Sequence, residues 1–280
     1  MLSYRHAFHA GNHADVLKHF IELQLLHYLN LKDKPYSMID THAGAGLYAL
    51  DQGYAVKNAE YVDGIGRLWQ RDDMPGALAD YVTAVRGLNP DGVLRVYPGS
   101  PWLAMHCMRQ QDQLRLFELH PTDSALLLQN FPATNRRVRI DAADGFSGLK
   151  ALLPPPSRRG MALIDPPYED KQDYQRVSAV LRDALRRFET GIYAVWYPLL
   201  QRRESQLFAE SLKRLPVRSW LNVSMTVHRP AADGFGMHGS GMFIINPPWT
   251  LPALLRTVMP YLVDVIGQDA GALYNLEESS

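Results

Sequence analysis

Two short stretches of the sequence each carry a polar residue, two prolines and an aromatic residue after an apolar run. They are "LIDPPYED" (residues 163–170) and "IINPPW" (residues 244–249). Proline fixes its own φ, has no amide hydrogen to donate, and pushes the residue before it into extended geometry. Each stretch therefore predicts a strand that ends in stiff backbone, with Asp165 or Asn246 held at the end. We expect one of the two to be a site and the other to be only a strand ending.

Asp165 suits chemistry on an amine. Alkylation of an exocyclic amine on a nucleobase requires the NH2 group to be held in line with an electrophilic methyl group. The Asp165 carboxylate can accept one N–H, and the carbonyl of Pro166 can accept the other. Tyr168 offers a ring on which the base can stack, worth about 1–3 kcal/mol. Positioning should contribute more than proton abstraction, because the nitrogen loses its proton easily once it is methylated and cationic.

A glycine-rich turn, "IDTHAGAGLYA", provides a second candidate site. Gly44 and Gly46 fit the G-x-G-x-x-G/A fingerprint, in which glycines let the backbone approach a ligand closely. A dinucleotide also requires an acid at the end of the next strand, but Glu60 and Asp63 lie at that distance in a helical segment. Glu118 is the acid that ends the second strand. The turn indicates a nucleoside-bearing cofactor without selecting one, and a close-packed turn with no ligand remains the alternative.

The elements that must position these residues alternate along the chain. Seven segments are predicted to be strands: 36–44, 113–120, 137–145, 160–168, 191–198, 219–227 and 239–249. Helical stretches lie between several of them, which predicts an α/β fold with a mostly parallel seven-stranded sheet and helices on both faces. No helix fits between the last two strands, so they should form a C-terminal antiparallel hairpin.

Residues 54–98 interrupt the alternation, because they contain helical patterns and no predicted strand. We interpret them as a small helical insertion, with residues 1–53 and 99–280 forming the core. Ahead of the first strand, Asn12 precedes Asp15 by three residues, a capping-box-like helix start. Ser100 followed by Pro101 predicts a second N-cap.

Strand direction distinguishes the two Pro-Pro stretches. Ligands of such sheets bind beyond the carboxyl ends of the parallel strands. Asp165 should therefore share an edge with Gly44 and Glu118. Asn246 ends a strand predicted to be antiparallel to its neighbour, so it should lie at the opposite edge, as a strand terminator with Trp249 packed over it.

Composition limits the partners. Lys plus Arg and Asp plus Glu are equal at 29 each, so an RNA or DNA partner requires positive charge gathered on one face. The single cysteine, Cys107, excludes a disulfide framework and suits a reducing cytoplasm. The N-terminus lacks the apolar core of a signal peptide, and no run is long enough to span a membrane. We expect a cytoplasmic monomer.

The beginning of the chain is rich in histidine. His6, His9, His13 and His19 suggest a metal site, but Gly11 and Asn12 interrupt the helical spacing and no cysteine or acidic cluster supports one. We predict no metal. Tyr4 and His6 instead belong to an ordered tail that covers the cofactor and meets RNA, since Arg and aromatic side chains suit phosphate and base contacts.

Taken together, these motifs resemble a known family. A D-P-P-Y motif after a glycine-rich strand turn is similar to S-adenosylmethionine-dependent amino methyltransferases. The closer resemblance is to the RlmJ family of bacterial 23S ribosomal RNA adenine-N6 methyltransferases, and it covers nearly the whole chain. It rests on "MLSYRHAFHAGNHADVLKH", "DTHAGAG", "YPGSP", "ELHP", "ADGF", "RRGMALIDPPYE", "TGIYAVWYP" and "SGMFIINPPW".

The resemblance implies a Rossmann-like class I methyltransferase core with a helical insertion. It implies action on one adenine of 23S ribosomal RNA, preferably before ribosome assembly, with Asp165 as the catalytic acceptor and Tyr4 near the substrate base. Residues implied to line the cofactor pocket are His19, His42, Ser100, Glu118, Asp144 and Gly145. We add Lys18, Gly44, Gly46 and Asp165 itself to the cofactor residues, and His6, Pro166 and Tyr168 to the substrate residues.

Individual roles follow from side-chain chemistry. Glu118 can take the ribose hydroxyls, and Asp144 can accept from the adenine amine of the cofactor. Ser100, at a helix start, places donors near the methionine carboxylate. Three other functions remain open: a DNA adenine-N6 methyltransferase, an RNA-binding module with an inactive pocket, and a nicotinamide dehydrogenase suggested by the glycine turn alone.

Overall fold

The computed structural model describes residues 5–131 and 136–279. Within these ranges the chain forms one large sheet and a small two-stranded ribbon. The strands are β1 Ser37–Asp40, β2 Leu47–Ala49, β3 Val96–Pro98, β4 Gln113–Phe117, β5 Val138–Asp141, β6 Gly160–Ile164, β7 Ile192–Leu199, β8 Trp220–Thr226, β9 Gly239–Ile245 and β10 Leu273–Glu278.

Helices connect most of the strands. They are α1 His13–Asn30, α2 Gly53–Asn58, α3 Ile65–Leu68, α4 Gly76–Arg86, α5 Ser100–Cys107, α6 Pro121–Asn130, α7 Gly145–Leu152, α8 Gln172–Arg187, α9 Arg203–Lys213 and α10 Leu251–Ile266. Short 3-10 turns occupy His6–Phe8 and Glu60–Asp63.

The large sheet has the order β10-β8-β9-β7-β6-β1-β4-β5. From β5 to β7 all neighbours are parallel, while β9 is antiparallel to both β7 and β8. The predicted class, a Rossmann-like α/β fold with a C-terminal antiparallel hairpin, is confirmed, and each of the seven predicted strands is present.

The predicted strand count is wrong by one. An eighth strand, β10, pairs antiparallel with β8 and forms the edge of the sheet on that side. Its sequence, "LYNLEE", is short and half polar, and its exposure alternates along the strand. An edge strand of this kind needs only one apolar face, so it gives a weaker pattern than the buried strands.

Alternate residues of the central strands enter two separate cores. Met38 and Leu163 belong to a core with α1, α4, α5 and α10, whereas Ile39 and Ile164 belong to a core with α7, α8 and α9. This division is what the period of two in a strand requires when helices cover both faces of a sheet.

The region 54–98 is mostly helical, as predicted, but the expectation that it contains no strand is wrong. Its last residues form β3, which pairs antiparallel with β2. Strands of three residues are too short to show an alternating pattern. The buried side chains of this region, including Ile65, Leu78 and Tyr81, pack in the same core as α1.

Helix α1 begins as predicted at Asn12, whose side chain accepts hydrogen bonds from the amides of Ala14 and Asp15. The helix lies between α5 on one side and β9 on the other. It is therefore buried around most of its circumference, and it carries charged residues into the interior. The buried charged or titratable residues are His13, Asp15, Lys18, His19 and Glu22.

The two Pro-Pro stretches end strands at opposite edges of the sheet, as predicted. The Asn246 side-chain amide donates to the carbonyls of Glu189 and Gly191, both at 2.7 Å, beside the start of β7. The expectation that Trp249 packs over this strand end is wrong, because its side chain is 82% exposed. The two prolines carry the chain past the end of β9 before α10 begins, and Trp249 lies in this connection.

Candidate active site

A cavity of about 520 Å3 lies at the carboxyl ends of the parallel strands. The residues that line it come from α1, from the segments that follow β1, β4, β5 and β6, and from the starts of α5 and α8. This is the edge at which a doubly wound sheet binds its ligands. Predicted residues that line it are His6, Lys18, His19, His42, Gly44, Ser100, Glu118, Asp144, Gly145 and Asp165.

Gly44 and Glu118 form one wall of the cavity. Gly44 has φ +59°, and a side chain there would overlap the hydroxyl of Tyr48. The Gly44 amide donates to one Glu118 carboxylate oxygen at 2.8 Å, and the His120 amide donates to the other at 2.7 Å. Burial raises the pKa of Glu118, and these two amides oppose the rise. Each oxygen keeps a lone pair for a ligand hydroxyl.

Gly46 does not line the cavity, contrary to the prediction that it belongs to the cofactor residues. It is buried, has φ +76°, and a side chain there would overlap the ring of Phe131. Its carbonyl accepts from the Gly99 amide at 2.9 Å. Gly46 therefore lets the turn pack against α6 and the start of α5.

Ser100 is placed at the cavity by a carboxylate at the end of β1. The Ser100 hydroxyl donates to Asp40 at 2.7 Å, and the His42 amide donates to the other Asp40 oxygen at 3.1 Å. Burial raises the pKa of Asp40 to about 6. The predicted N-cap is displaced by one residue, because α5 begins at Ser100 and its N-cap is Gly99.

Asp165 forms an ion pair with Lys18. The ammonium nitrogen lies 2.6 Å from one Asp165 carboxylate oxygen, and the Asp165 side chain is 15% exposed. Burial raises the pKa of Asp165, while the charge of Lys18 and its hydrogen bond lower it. The sequence separates this pair by 147 positions, and only the fold brings the two residues together.

A buried polar network extends from Lys18 towards the N-terminal segment. Lys18 lies 3.0 Å from Asp15, and Asp15 in turn lies 2.9 Å from His6. Burial lowers the pKa of His19 to about 3, so this ring is neutral, and its Nδ1 lies 2.8 Å from the Tyr97 hydroxyl. The polar and charged side chains of α1 therefore hold one another in place along the side of the cavity that this helix forms.

Asp144 and Gly145 begin α7 at the far wall. Asp144 caps the helix by accepting from the Phe146 amide at 2.8 Å, and its other oxygen lies 3.1 Å from Arg176. A side chain at Gly145 would overlap the carbonyl of Thr41, so the helix start and the end of β1 approach each other closely. His42 packs edge-on against the Phe146 ring, and burial lowers the pKa of His42 to about 3.

The structure contradicts one of the predictions for the substrate-binding residues. The expectation that Tyr168 offers a stacking face is wrong in this structure, because its ring is fully buried against Tyr174 and Phe208. Its hydroxyl donates to the Trp196 carbonyl at 2.8 Å. Pro166 is buried and Pro167 lines the cavity, while the role predicted for Pro166 concerns its carbonyl and stays a prediction. Tyr4 lies outside the described residues.

The N-terminal histidines contact different sets of polar groups, although His6 and His19 both approach Asp15. His9 lies 2.9 Å from Glu60, His6 contacts Asp15, and His19 contacts Tyr97. Among residues 5–131 and 136–279, no three His, Cys, Asp or Glu side chains are arranged to hold a metal ion. No helix in the same ranges is long and apolar enough to cross a membrane.

Sequence reasoning missed several residues of the cavity wall. They are Thr41, Tyr48, His120, Asp123, Asp173 and Arg176, with Asp40 just behind the wall. Asp40 could have been found, since it ends a strand with a carboxylate as Asp165 does. Asp173 and Arg176 reach the cavity from α8, and nothing in their local sequence indicates it.

The charge of the cavity distinguishes between nucleoside cofactors. Seven carboxylate residues line it, against two permanent cations, Lys18 and Arg176. Such a wall repels the pyrophosphate of a dinucleotide. It suits S-adenosylmethionine, whose sulfonium and ammonium groups are positive. The backbone at Gly44, which a ligand can approach closely, and the Glu118 carboxylate fit the nucleoside part of the same cofactor.

The fold and the site define a class I methyltransferase. Residues 33–276 match the family model described as "RsmJ: Ribosomal RNA large subunit methyltransferase D, RlmJ". The chain belongs to this family. It is 49% identical over 94% of its length to ribosomal RNA large subunit methyltransferase J of Escherichia coli K12, covering 93% of that protein.

Two further relatives agree with this assignment. The Haemophilus influenzae protein of the same name is 43% identical over 99% of this chain and 98% of its own length. The crystal structure of protein LPL1258 from Legionella pneumophila superposes with a TM-score of 0.90 at 37% identity, covering 97% of this chain and 99% of that one.

Proposed function

We propose that this ribosomal RNA methyltransferase transfers a methyl group from S-adenosylmethionine to the exocyclic N6 of one adenine in 23S ribosomal RNA. We further propose that it acts preferentially on RNA not yet assembled into the ribosome. The observation that carries the proposal is the position of Asp165, at the end of β6, on the wall of the cavity formed by Gly44 and Glu118. An amine acceptor and a nucleoside-cofactor site thus share one cavity.

The cofactor end of the cavity has a polar group for each part of S-adenosylmethionine. Glu118 would accept the ribose hydroxyls, and Asp144 would accept from the adenine amine. The start of α5, at Ser100, would face the methionine carboxylate. His19, His42 and Gly145 complete this wall. When bound there, S-adenosylmethionine supplies an electrophilic methyl group.

The substrate end is built around Asp165. Its carboxylate accepts one N–H of the adenine amine and the Pro166 carbonyl accepts the other, which aligns the nitrogen for transfer. Lys18 favours the ionised, accepting form of Asp165, because its positive charge opposes the effect of burial on the pKa. The target base has to leave its helix to reach the cavity.

The stacking face for the base comes from the N-terminal segment in this proposal, because Tyr168 is buried. His6 lies on the cavity wall, tilted against the Tyr48 ring with 5.2 Å between centroids. Arg5 donates to Thr122 at 3.2 Å, which directs the segment across the cavity towards α6. We propose that Tyr4 and His6 meet the base, that residues 54–98 act as a helical insertion, and that the protein works as a cytoplasmic monomer.

The test is methyl transfer from labelled S-adenosylmethionine to three substrates: protein-free 23S RNA, assembled large subunits, and DNA of the same sequence. We expect label only on RNA, more on the protein-free form, and mass mapping should place it on one N6-methyladenine. Equal labelling of DNA would favour a DNA adenine methyltransferase. Label on another atom or base would refute the assignment to adenine N6.

A further inference from the structure

The second Pro-Pro stretch has no role in the cavity, yet its loop is rigidly built. Asn246 has φ +54°, and its side chain is fixed by hydrogen bonds to two carbonyls. Two prolines follow and restrict the backbone further. The result is a stiff support that holds the Trp249 ring 82% exposed. A tryptophan on a stiff backbone presents a large flat surface at little cost in conformational entropy, because its side chain has only two rotatable bonds.

A groove of about 620 Å3 lies beside Trp249, between the end of α1 and the starts of β6 and β7. Leu31, 75% exposed, lies on its other side. Arg159 forms part of the floor, where its guanidinium donates to the carbonyls of Leu29 and Lys34. The groove is thus an ordered part of the fold rather than a gap between loops.

The rim of the groove is positively charged. Lys32 and Arg158 line the groove, Lys34 lies just beyond it beside the exposed Asp33, and none of the three cations forms a side-chain ion pair within the described ranges. Arg158 is held in the left-handed region, at φ +47°. Arg218 adds a cation that is paired with Glu189 at 3.1 Å. Because the whole chain has a formal net charge of zero, this local excess of cations points to an anionic partner.

Charge and shape together identify the partner. Lysine and arginine beside an exposed aromatic ring are the combination that binds single-stranded nucleic acid, with phosphates on the cations and a base on the ring. A protein partner would need acidic side chains facing these cations, whereas RNA supplies both the negative charge and the flat base.

We propose that this edge of the sheet binds an unpaired segment of the substrate RNA, with a base stacked on Trp249 and phosphates at Lys32, Lys34 and Arg158. The proposal rests on the proposed function for the identity of the RNA. Strand β6 separates the groove from Asp165 by five residue steps, roughly 16 Å at about 3.3 Å each. The bound segment is therefore displaced from the target adenine by at least this distance.

The test compares RNA affinities by fluorescence anisotropy, without turnover. We expect Trp249→Ala to weaken binding of protein-free 23S RNA roughly 5- to 100-fold, as loss of one stacked base implies. It should not change binding of a short hairpin that carries only the methylated adenine and its neighbouring pairs. Trp249→Phe should retain most of the affinity, because it keeps a stacking face.

The charge contribution has its own control. Arg158→Gln should weaken binding a few-fold and reduce the dependence of affinity on salt by about one phosphate contact. Arg182→Gln, an exposed arginine on α8, should change neither quantity. For all of these variants, S-adenosylmethionine affinity and the rate at saturating RNA should remain at the wild-type values.

Two results would overturn the proposal: unchanged affinity of Trp249→Ala for long RNA, or equal weakening for the long RNA and the hairpin. If Trp249→Ala instead abolishes self-association of the protein in sedimentation and leaves RNA affinity intact, the edge is an interface between copies. Because binding is measured separately from methyl transfer, loss of the proposed function would show as absent methylation with the affinity differences preserved.

Discussion

The two Pro-Pro stretches have nearly the same sequence but opposite environments. Asp165 ends a parallel strand, and its carboxylate faces the cavity and Lys18. Asn246 ends an antiparallel strand, and its side-chain amide ties this strand end to the segment just before β7. The aromatic residues differ just as clearly, since Tyr168 is fully buried and Trp249 is 82% exposed.

The difference shows that the direction of the strand, and not the four-residue motif, decides the role. A strand end at the carboxyl edge of the parallel strands meets the other strand ends and their carboxylates. The strand end at the opposite edge lies beside a basic groove, formed by the end of α1 and the starts of β6 and β7. The same stiff backbone therefore supports an amine acceptor in one place and an exposed ring in the other.

The largest expected effect is on the methylation rate, which should differ between variants of Asp165 and Asn246. Asp165→Ala should reduce the single-turnover methylation rate by about 100- to 1,000-fold or more, the range seen when one preorganised hydrogen-bonding group is removed. Asn246→Ala, a substitution of similar size at the opposite edge, should leave this rate unchanged. Circular dichroism should show that both variants are folded. Similar rate losses in both would contradict the assignment of the site.

The next largest expected effect is on stability, which should differ between variants of Tyr168 and Trp249. Tyr168→Ala should lower the free energy of unfolding by about 3–5 kcal/mol, because it leaves a cavity in a packed cluster. Trp249→Ala should change it by no more than about 0.5 kcal/mol, since the ring is exposed. Urea denaturation measures both.

Tyr168→Phe is the matched control for the buried ring. It removes only the hydrogen bond to Trp196 and should cost about 1 kcal/mol. If Tyr168→Ala were as stable as the wild type but bound the substrate base poorly, the ring would have to be a stacking face after all.

The smallest expected effect is a shift in pH dependence. The methylation rate should fall at low pH as Asp165 becomes protonated, and Lys18 keeps that pKa from rising further. Lys18→Met removes the opposing charge, so the pKa of Asp165 should rise and the acid limb of the rate profile should move to higher pH. Single-turnover rates at saturating cofactor and RNA, measured against pH, test this.

Lys150→Met, at an exposed position on α7, provides the control and should leave the profile unaltered. An acid limb in the same place for Lys18→Met and the wild type would show that the ion pair does not govern Asp165.

Much of the fold follows from local patterns. Most of the seven predicted strands are buried and apolar, so their sequences alone identify them, whereas the edge strand β5, "VRID", is partly exposed and carries two charged residues. Glu118 and Asp165 were found for the same reason, because each is a carboxylate at the end of such a strand. β10 and the β2–β3 ribbon are short or half exposed, and their patterns are correspondingly weak.

The details of the site depend on contacts between distant parts of the chain. Nothing near Lys18 indicates that its ammonium meets Asp165. The burial of Tyr168 and the exposure of Trp249 depend on which helices cover each strand end, and the local sequences do not encode that difference. Gly46 is a further example, because the sequence predicts a close approach of its backbone to a ligand, but its neighbour is the Phe131 ring.

The position of α1 has a consequence for how the protein is made. This N-terminal helix carries Lys18, yet it packs against β9, which lies near the far end of the chain. The central strand β1 likewise needs β6 as its neighbour. During translation the first helix is therefore synthesised long before its partners, and such long-range pairing slows folding. A nascent chain that ends before residue 245 lacks a complete β9, against which the helix that carries Lys18 packs. Methyl transfer should therefore begin only when the β8–β9 hairpin has left the ribosome.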